Sequence, residues 1–188
     1  DLETIKQVCL ENNLKFHLDG ARLWNALIAT GEKPKSYGAL FDSISVCLSK
    51  GLGAPVGSLL LGETGFIKKA RRIRKVFGGG MRQAGYLAAA GIYALENNID
   101  RLAEDHHHAK QIAHALVKKD FIGRMYPVET NILIFDVTGS YTASSFAEYL
   151  KNEDIYCIPI SPTQVRMVTH LDVTPTMVER LITIINSM

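Results

Sequence analysis

The chain has 188 residues, of which 47% are hydrophobic and 21% charged, and its formal net charge is +2. This is the composition of a folded globular protein, large enough for one large domain or two small ones. The small net charge, and the lack of a basic tract interleaved with aromatics, argue against a nucleic-acid partner, and no apolar run approaches the length of a membrane span.

The pattern of apolar residues predicts alternating helices and strands in the first half of the chain. The residues 58–61 are mostly apolar, as strands covered on both faces tend to be. In chain order the predicted elements are a helix over 1–13, a strand over Lys15–Leu18, a helix ending at Ile28, strands over Ser43–Leu48 and Ser58–Leu61, and helices over Glu63–Phe77 and Gln83–Glu96.

We predict a domain boundary near residue 98, with one domain over 1–98 and a smaller α/β domain over 99–188. Short strands that alternate with helices indicate α/β architecture in both. The elements predicted after the boundary are helices over Asp100–Lys119, Ser144–Asn152 and Thr174–Asn186, and strands over Ile132–Val137, Ile155–Ile158 and Gln164–Val168.

Two groups of residues that often bind metals are interpreted here as structural. Adjacent helix positions point about 100° apart, so the run His106–His108 cannot converge on one ion and is predicted to be a solvated face without a metal. The three cysteines, Cys9, Cys47 and Cys157, are odd in number and lack metal spacing. Their apolar surroundings predict buried, reduced thiols in a cytoplasmic protein.

Two residues at predicted strand ends carry candidate chemistry. Lys50 follows an apolar strand and precedes Gly51 and Gly53, where a partly desolvated amine would be a nucleophile suited to Schiff-base chemistry. Asp19 also ends a strand, where a carboxylate could pair with a protonated ring nitrogen. Taken alone, the local sequence Ser49-Lys50-Gly51 favours a surface turn for Lys50, and Asp19 could be a helix N-cap.

Two arginines could bind a carboxylate. Arg22 follows Asp19 by three residues, and Arg166 lies among apolar residues of a predicted strand, where an unpaired charge is costly. The planar guanidinium binds carboxylates bidentately, which suits an amino-acid substrate. An outward-facing strand position would also explain Arg166.

Four stretches together resemble the low-specificity L-threonine aldolases, which are type I pyridoxal-phosphate enzymes. Of these stretches, the lysine-centred and glycine-rich ones are the most specific. They are HLDGARLWNA at 17–26, CLSKGLGAPVGS at 47–58, GGGMRQAG at 78–85 and VRMVTHLD at 165–172.

The resemblance implies that residues 1–98 are the C-terminal portion of a large domain with a mostly parallel sheet, and that 99–188 are the small C-terminal domain. It implies that Lys50 holds pyridoxal 5'-phosphate in a Schiff base and that Asp19 pairs with the ring nitrogen. Arg22 and Arg166 would then hold the substrate carboxylate.

By the same resemblance, Lys75 and Arg82 would face the cofactor phosphate or the site of a partner subunit. A basic helix face followed by a tight glycine turn explains the same two residues without a ligand. The general base is not assigned, because His170 lies at a strand-to-helix junction where a structural histidine is the simpler interpretation.

The implied reaction is the cleavage of L-threonine or L-allo-threonine to glycine and acetaldehyde by a homodimer or homotetramer with sites at the interface. The chain starts at Asp1, within an apparent helix, and no glycine-rich phosphate loop precedes Asp19. We therefore expect a fragment of the enzyme that is inactive by itself. The alternatives are a truncated unit that only self-associates, and another type I lyase, against which the Met-Arg-Gln motif argues.

Overall fold

The computed structural model describes all 188 residues and contains two separate sheets, one in each of two units, Asp1–Asp100 and Arg101–Met188. The first unit ends at Asp100, two residues after the boundary predicted near residue 98. The elements of the first unit are α1 (Leu2–Glu11), β1 (His17–Gly20), α2 (Leu23–Thr30), α3 (Pro34–Leu40), β2 (Ser43–Cys47), β3 (Ser58–Gly62), α4 (Thr64–Val76) and α5 (Gly85–Asn97).

The central strand of the first sheet is β2, which pairs in parallel with β1 and antiparallel with β3. Alternation places Ile44 and Val46 of β2 on the buried face, where they pack with apolar residues of α2 and with Phe41. The helix α3, which the sequence pattern did not predict, starts with Pro34 in its first turn, a position that suits proline because no N–H is needed there.

The strand β3 corrects one expectation. All five of its residues are exposed, so it is not covered on both faces within this chain. Leu59, Leu60 and Leu61 keep 40–46% of their surface accessible, and β3 is also an edge of the sheet. Exposed edges of this kind offer unpaired backbone groups to another strand.

An acidic side chain fixes the start of β1 beside β2. The carboxylate of Asp42 accepts hydrogen bonds from the Phe16 backbone N–H and from the ammonium groups of Lys6 and Lys15, each at 3.0 Å. The hydrogen bond from Phe16, followed by those from the two lysines, holds the pKa of Asp42 well below its usual range. A carboxyl group whose pKa falls on folding stabilises the fold above its ordinary pKa, and this contribution is lost as the pH falls through the folded-state value.

The elements of the second unit are α6 (Leu102–Leu116), β4 (Ile122–Met125), β5 (Ile132–Val137), α7 (Ala143–Asn152), β6 (Ile158–Pro159), β7 (Gln164–Val168) and α8 (Pro175–Ser187). The strands form a four-stranded antiparallel sheet in the order β4-β5-β7-β6, with helices packed on one face. The predicted strands Ile132–Val137 and Gln164–Val168 are confirmed, whereas the strand predicted over Ile155–Ile158 lies at Ile158–Pro159.

The core of the second unit follows the two-residue alternation of β5 and β7. Leu133, Phe135 and Val165 point to the helix-covered face and are fully buried. There Phe135 packs edge-on against Phe146 of α7, with ring centroids 5.7 Å apart. The residues between them on each strand point to the opposite face and are half-buried.

The histidine run is not the solvated face that the sequence predicts. His106 and His108 are each only 6% exposed, whereas His107 is exposed. Burial lowers the pKa of His106. A helix that packs on a sheet at one side and on α8 at the other covers more of its surface than a simple amphipathic pattern indicates.

The cysteines are free, but all three are half-buried rather than fully buried. Burial raises the pKa of Cys157 to about 11. No group of three or more His, Cys, Asp or Glu side chains is placed to hold a metal ion. None of the helices combines the length and apolar character needed to cross a bilayer.

A close backbone approach at Gly20 provides a test of the β1–β2 pairing. A Cβ at this position would lie 2.6 Å from the carbonyl oxygen of Ser45 and 3.3 Å from Cβ of Leu23. We expect Gly20→Ala to lower the free energy of unfolding by about 1–3 kcal/mol, as overpacking typically does. Chemical denaturation of the complete polypeptide, followed by circular dichroism, measures this change.

The matched control is Gly38→Ala in α3, where no atom lies within 4 Å of the added Cβ. Because alanine is a better helix former than glycine, this variant should be as stable as the parent or up to about 1 kcal/mol more stable. Equal stability of the two variants would show that Gly20 does not fix the strand spacing.

Candidate active site

The parallel pair β1–β2 brings Asp19 and Lys50 to the same edge of the sheet. Asp19 is the third residue of β1 and pairs with Ser45 of β2, whose last residue is Cys47. Lys50 follows the end of β2 by three residues. Ligand sites of open α/β sheets lie outside the carboxyl ends of parallel strands, which is where this carboxylate and this amine are found.

The loop that carries Lys50 is held by buried neighbours and backbone hydrogen bonds. Leu48 and Leu52 are buried, and the Leu48 N–H donates to the Gly57 carbonyl at 3.0 Å. The Gly53 N–H donates to the Lys50 carbonyl at 2.9 Å, with Gly53 at φ 71°, a conformation that favours glycine. The position of the Lys50 backbone is therefore fixed by the fold.

The side chains of Lys50 and Asp19 have no hydrogen-bond or ion-pair partner in this chain, and both are exposed. The partly desolvated amine expected from the sequence is thus not found, and Lys50 does lie in an exposed turn. The helix-cap interpretation of Asp19 is wrong, because α2 begins at Leu23 with Arg22 as its N-cap residue. The Asp19 carboxylate is free to bind a ligand.

A thiol lies beside the lysine. Cys47 Sγ is 3.5 Å from Ser49 Oγ. Burial raises the pKa of Cys47, but hydrogen bonds from Ser49 and Ser58 and the positive charge of Lys50 outweigh it, so the net shift of this pKa is downward. The charge of Lys50 therefore acts on groups at the end of β2.

Arg22 is half-buried at the start of α2 and forms no ion pair. It lies three residues after Asp19 at the same end of β1. Because no acidic side chain pairs with it, its guanidinium is available to a carboxylate ligand.

Lys75 and Arg82 lie on either side of the glycine turn that ends α4, and both are exposed. The Gly79 N–H donates to the Arg74 carbonyl at 2.8 Å, and the Gly78 N–H donates to the Lys75 carbonyl at 3.2 Å. With Gly78 at φ 84°, these bonds form a Schellman C-cap. The glycine turn thus has a structural role, and a ligand role of the two cations stays a proposal.

Arg166 lies in the second unit, on the face of the sheet that is opposite its helices. Its cross-strand neighbours are Ile134 of β5 and Ile158 of β6. On the same face, Asp136 accepts a hydrogen bond from Gln164 at 3.1 Å and forms no ion pair with Arg166. Arg166 is therefore half-buried and without an ion-pair partner, so its guanidinium is available to an anionic ligand.

His170 is exposed and lies just beyond β7. Its Nδ1 is 3.4 Å from a carboxylate oxygen of Asp172 and 3.3 Å from the Asp172 backbone nitrogen. These local contacts agree with the structural interpretation from the sequence, and the general base is not assigned.

The donor set of the first unit fits pyridoxal phosphate. The cofactor requires an amine for its aldehyde and a carboxylate for its ring nitrogen. Lys50 and Asp19 supply these two groups at one sheet edge, and neither group is engaged elsewhere in the chain.

A buried polar group in the second unit is not predicted from the sequence. Asp105, Asn131 and Thr169 are no more than 3% exposed and are joined by hydrogen bonds. One signal in the sequence could have indicated this group. Asn131 is a polar residue at a position that alternates in step with the apolar Leu133 and Phe135, so its side chain is expected to face the core.

A family model described as β-eliminating lyase matches residues 1–140 of the chain. A low specificity L-threonine aldolase of Escherichia coli strain K12 is 49% identical over 164 residues, which are 87% of this chain and 48% of that protein. A low-specificity L-threonine aldolase of Candida albicans is 45% identical over 137 residues, which are 73% of this chain and 36% of that protein. The chain thus spans half or less of the length of these curated relatives.

Among solved structures, Leishmania major threonine aldolase superposes with a TM-score of 0.80 at 24% identity. The superposition covers 99% of this chain and 55% of that one. At this level of identity, the likeness shows the fold alone.

Proposed function

This chain belongs to the β-eliminating lyase family, and we propose that it is part of a pyridoxal-phosphate-dependent enzyme that cleaves L-threonine or L-allo-threonine to glycine and acetaldehyde. Its fold is that of type I pyridoxal-phosphate enzymes. The observation that carries the proposal is the pairing of β1 with β2, which places a free carboxylate and a free amine at one sheet edge. The similarity to L-threonine aldolases directs the proposal to this substrate.

Each site residue has a distinct role in the proposed reaction. Lys50 would hold the cofactor through its amine, and Asp19 would keep the ring nitrogen protonated. When bound, pyridoxal phosphate supplies a sink for the electrons of the Cα–Cβ bond that breaks. Arg22 and Arg166 would hold the substrate carboxylate, which fixes the direction of that bond.

The proton balance of the cleavage is simple. The β-hydroxyl of threonine loses a proton as acetaldehyde leaves, and Cα gains a proton to give glycine. A group able to exchange protons near the β-carbon is needed for this transfer.

We extend the proposal to the assembly and location of the enzyme. The exposed cations Lys75 and Arg82 would face the cofactor phosphate or the site of a partner subunit in a cytoplasmic homodimer or homotetramer. Their exposure and lack of ion pairs in this chain support this role.

Another lyase reaction, β-elimination from an amino acid with a leaving group at Cβ, is the second candidate. The description of the family model favours it. The two reactions are separated by their products, since aldol cleavage of threonine releases acetaldehyde and β-elimination releases ammonia and a 2-oxo acid.

The proposed function predicts that Lys50 carries the cofactor. In the protein made from the complete coding sequence and loaded with pyridoxal phosphate, borohydride reduction and peptide mapping should find the pyridoxyl group on Lys50. Lys50→Arg should lose the label and acetaldehyde release, whereas Lys69→Arg on the exposed side of α4 should keep both. A label on another lysine would refute the assignment.

Asp19→Asn tests the role of the carboxylate. Because an amide cannot keep the ring nitrogen cationic, we expect kcat to fall on the order of a hundredfold or more, as when an electrostatic partner of the transition state is removed. Cofactor binding, followed by absorbance, should be retained. Asp120→Asn, at an exposed acid of the second unit, is the control and should keep the parent kcat. A similar kcat for both variants would exclude Asp19 from the site.

Arg166→Lys tests the carboxylate-binding role. A lysine cannot form the bidentate contact, so the KM for threonine should rise, with a loss of about 1.5–3 kcal/mol if the bond is desolvated. The cofactor absorbance should not change. The control is Arg124→Lys in β4, where the guanidinium carbon of Arg124 lies 4.5 Å from the centroid of the Tyr126 ring. This variant should leave the KM unchanged. An unchanged KM for threonine in Arg166→Lys would refute this role, and a loss of cofactor instead would move Arg166 to the phosphate.

A further inference from the structure

A buried hydrogen-bonded network joins the end of β7 to the start of β5 and to α6. The Thr169 backbone N–H donates to the Asn131 carbonyl at 3.0 Å, and Asn131 Nδ2 donates to the Thr169 carbonyl at 2.8 Å. The Thr169 hydroxyl donates to the Asp105 carbonyl at 2.6 Å. We call these three residues, with Arg101, the β7 lock.

The far end of the β7 lock is an ion pair. Arg101 donates to both carboxylate oxygens of Asp105, at 2.6 and 3.4 Å, and the Asp105 side chain is fully buried. This contact fixes the first turn of α6, whose Asp105 carbonyl receives the Thr169 hydroxyl. A charged pair buried this deeply is costly to break, so the turn keeps one position.

The β7 lock begins at Thr169, one residue beyond the C-terminal end of β7. Thr169 follows Arg166 by three residues, and alternation places their side chains on opposite faces of the sheet. On its other side, β7 pairs with only two residues of β6, one of which is Pro159 and has no N–H to donate. The start of β7 is also held by the Ile160 N–H, which donates to the Gln164 carbonyl at 2.9 Å, so it is the C-terminal end of β7 that depends on β5 and on the lock.

We propose that Thr169 and Asn131 are positioning residues that hold β7 so that Arg166 can bind the substrate carboxylate. The inference rests on the proposed function. A bidentate arginine–carboxylate contact is sensitive to small displacements, and a misplacement of about 1 Å far from the chemistry can cost on the order of a hundredfold in rate. The lock supplies a fixed attachment for a strand whose arginine has no other partner.

The test replaces the hydroxyl of Thr169, which donates to the Asp105 carbonyl, with a methyl group that cannot donate. In the complete protein loaded with cofactor, Thr169→Val should raise both the Kd for glycine, measured by calorimetry, and the KM for threonine by roughly tenfold, with kcat and cofactor content little changed. Thr169→Ser, which retains the hydroxyl, should behave as the parent. In an Arg166→Lys background, Thr169→Val should add little further loss, because both changes act on the same contact.

The variant Leu150→Ala distinguishes a positioning role of Thr169 from a purely structural one. It truncates a fully buried side chain of α7 that is not part of the lock. This variant should lower the unfolding temperature at least as much as Thr169→Val but leave the Kd for glycine unchanged. If Thr169→Val does not fold, Arg101→Lys carries the same comparison, since it loosens the ion pair while keeping its charge.

Three results would overturn the inference. The first is an unchanged Kd in Thr169→Val, and the second is a Kd that rises equally in Leu150→Ala. The third is full additivity with Arg166→Lys. A parent protein that binds neither threonine nor glycine overturns the proposed function, and this inference with it. A parent that cleaves threonine while Thr169→Val behaves normally overturns the inference alone.

Discussion

The parallel register of β1 against β2 is the constraint on which the candidate site depends. Asp42 holds the start of β1 through the Phe16 N–H and two lysines, and the close approach of Gly20 to the Ser45 carbonyl sets the spacing at its end. Because both ends of β1 are fixed against β2, the backbone pairing alone determines where Asp19 and the loop after β2 lie. Two weak local signals, a carboxylate in β1 and an amine in the loop after β2, come together at one end of the sheet through this pairing.

Much of the architecture could be predicted because local patterns determine it. The strands Ile132–Val137 and Gln164–Val168 alternate between buried and half-buried residues along their whole length, and their predicted bounds match the structure. The strand predicted over Ile155–Ile158 is instead a two-residue strand, Ile158–Pro159, too short to show an alternating pattern. For Asp19, the sequence allowed both a helix cap and a ligand. The start of α2 at Leu23 removed the cap, since capping depends on backbone position rather than on residue type.

What could not be predicted depends on contacts between distant parts of the chain. The Thr169 hydroxyl meets a carbonyl 64 residues away, and nothing in the sequence around either residue indicates the other. The burial of His106 and His108 has the same origin, because it is set by the elements that pack around α6. The exposure of β3 could not be predicted from its sequence either. An apolar run indicates that a strand can be covered, but it does not show which part of the protein covers it.

The charged residues that stabilise the fold are paired with each other, whereas those of the candidate active site are not. Asp42 is paired with two lysines, and the buried Asp105 is paired with Arg101, so charges that hold the fold together are neutralised within the chain. Asp19, Lys50, Arg22 and Arg166 have no such partner, although two of them are half-buried. Asp19 and Lys50 are exposed to water, whereas Arg22 and Arg166 are half-buried, and an anionic ligand would give these two arginines the partner that the chain lacks. The carboxylate, amine and guanidinium groups left open are those that a pyridine nitrogen, an aldehyde and an amino-acid carboxylate would engage.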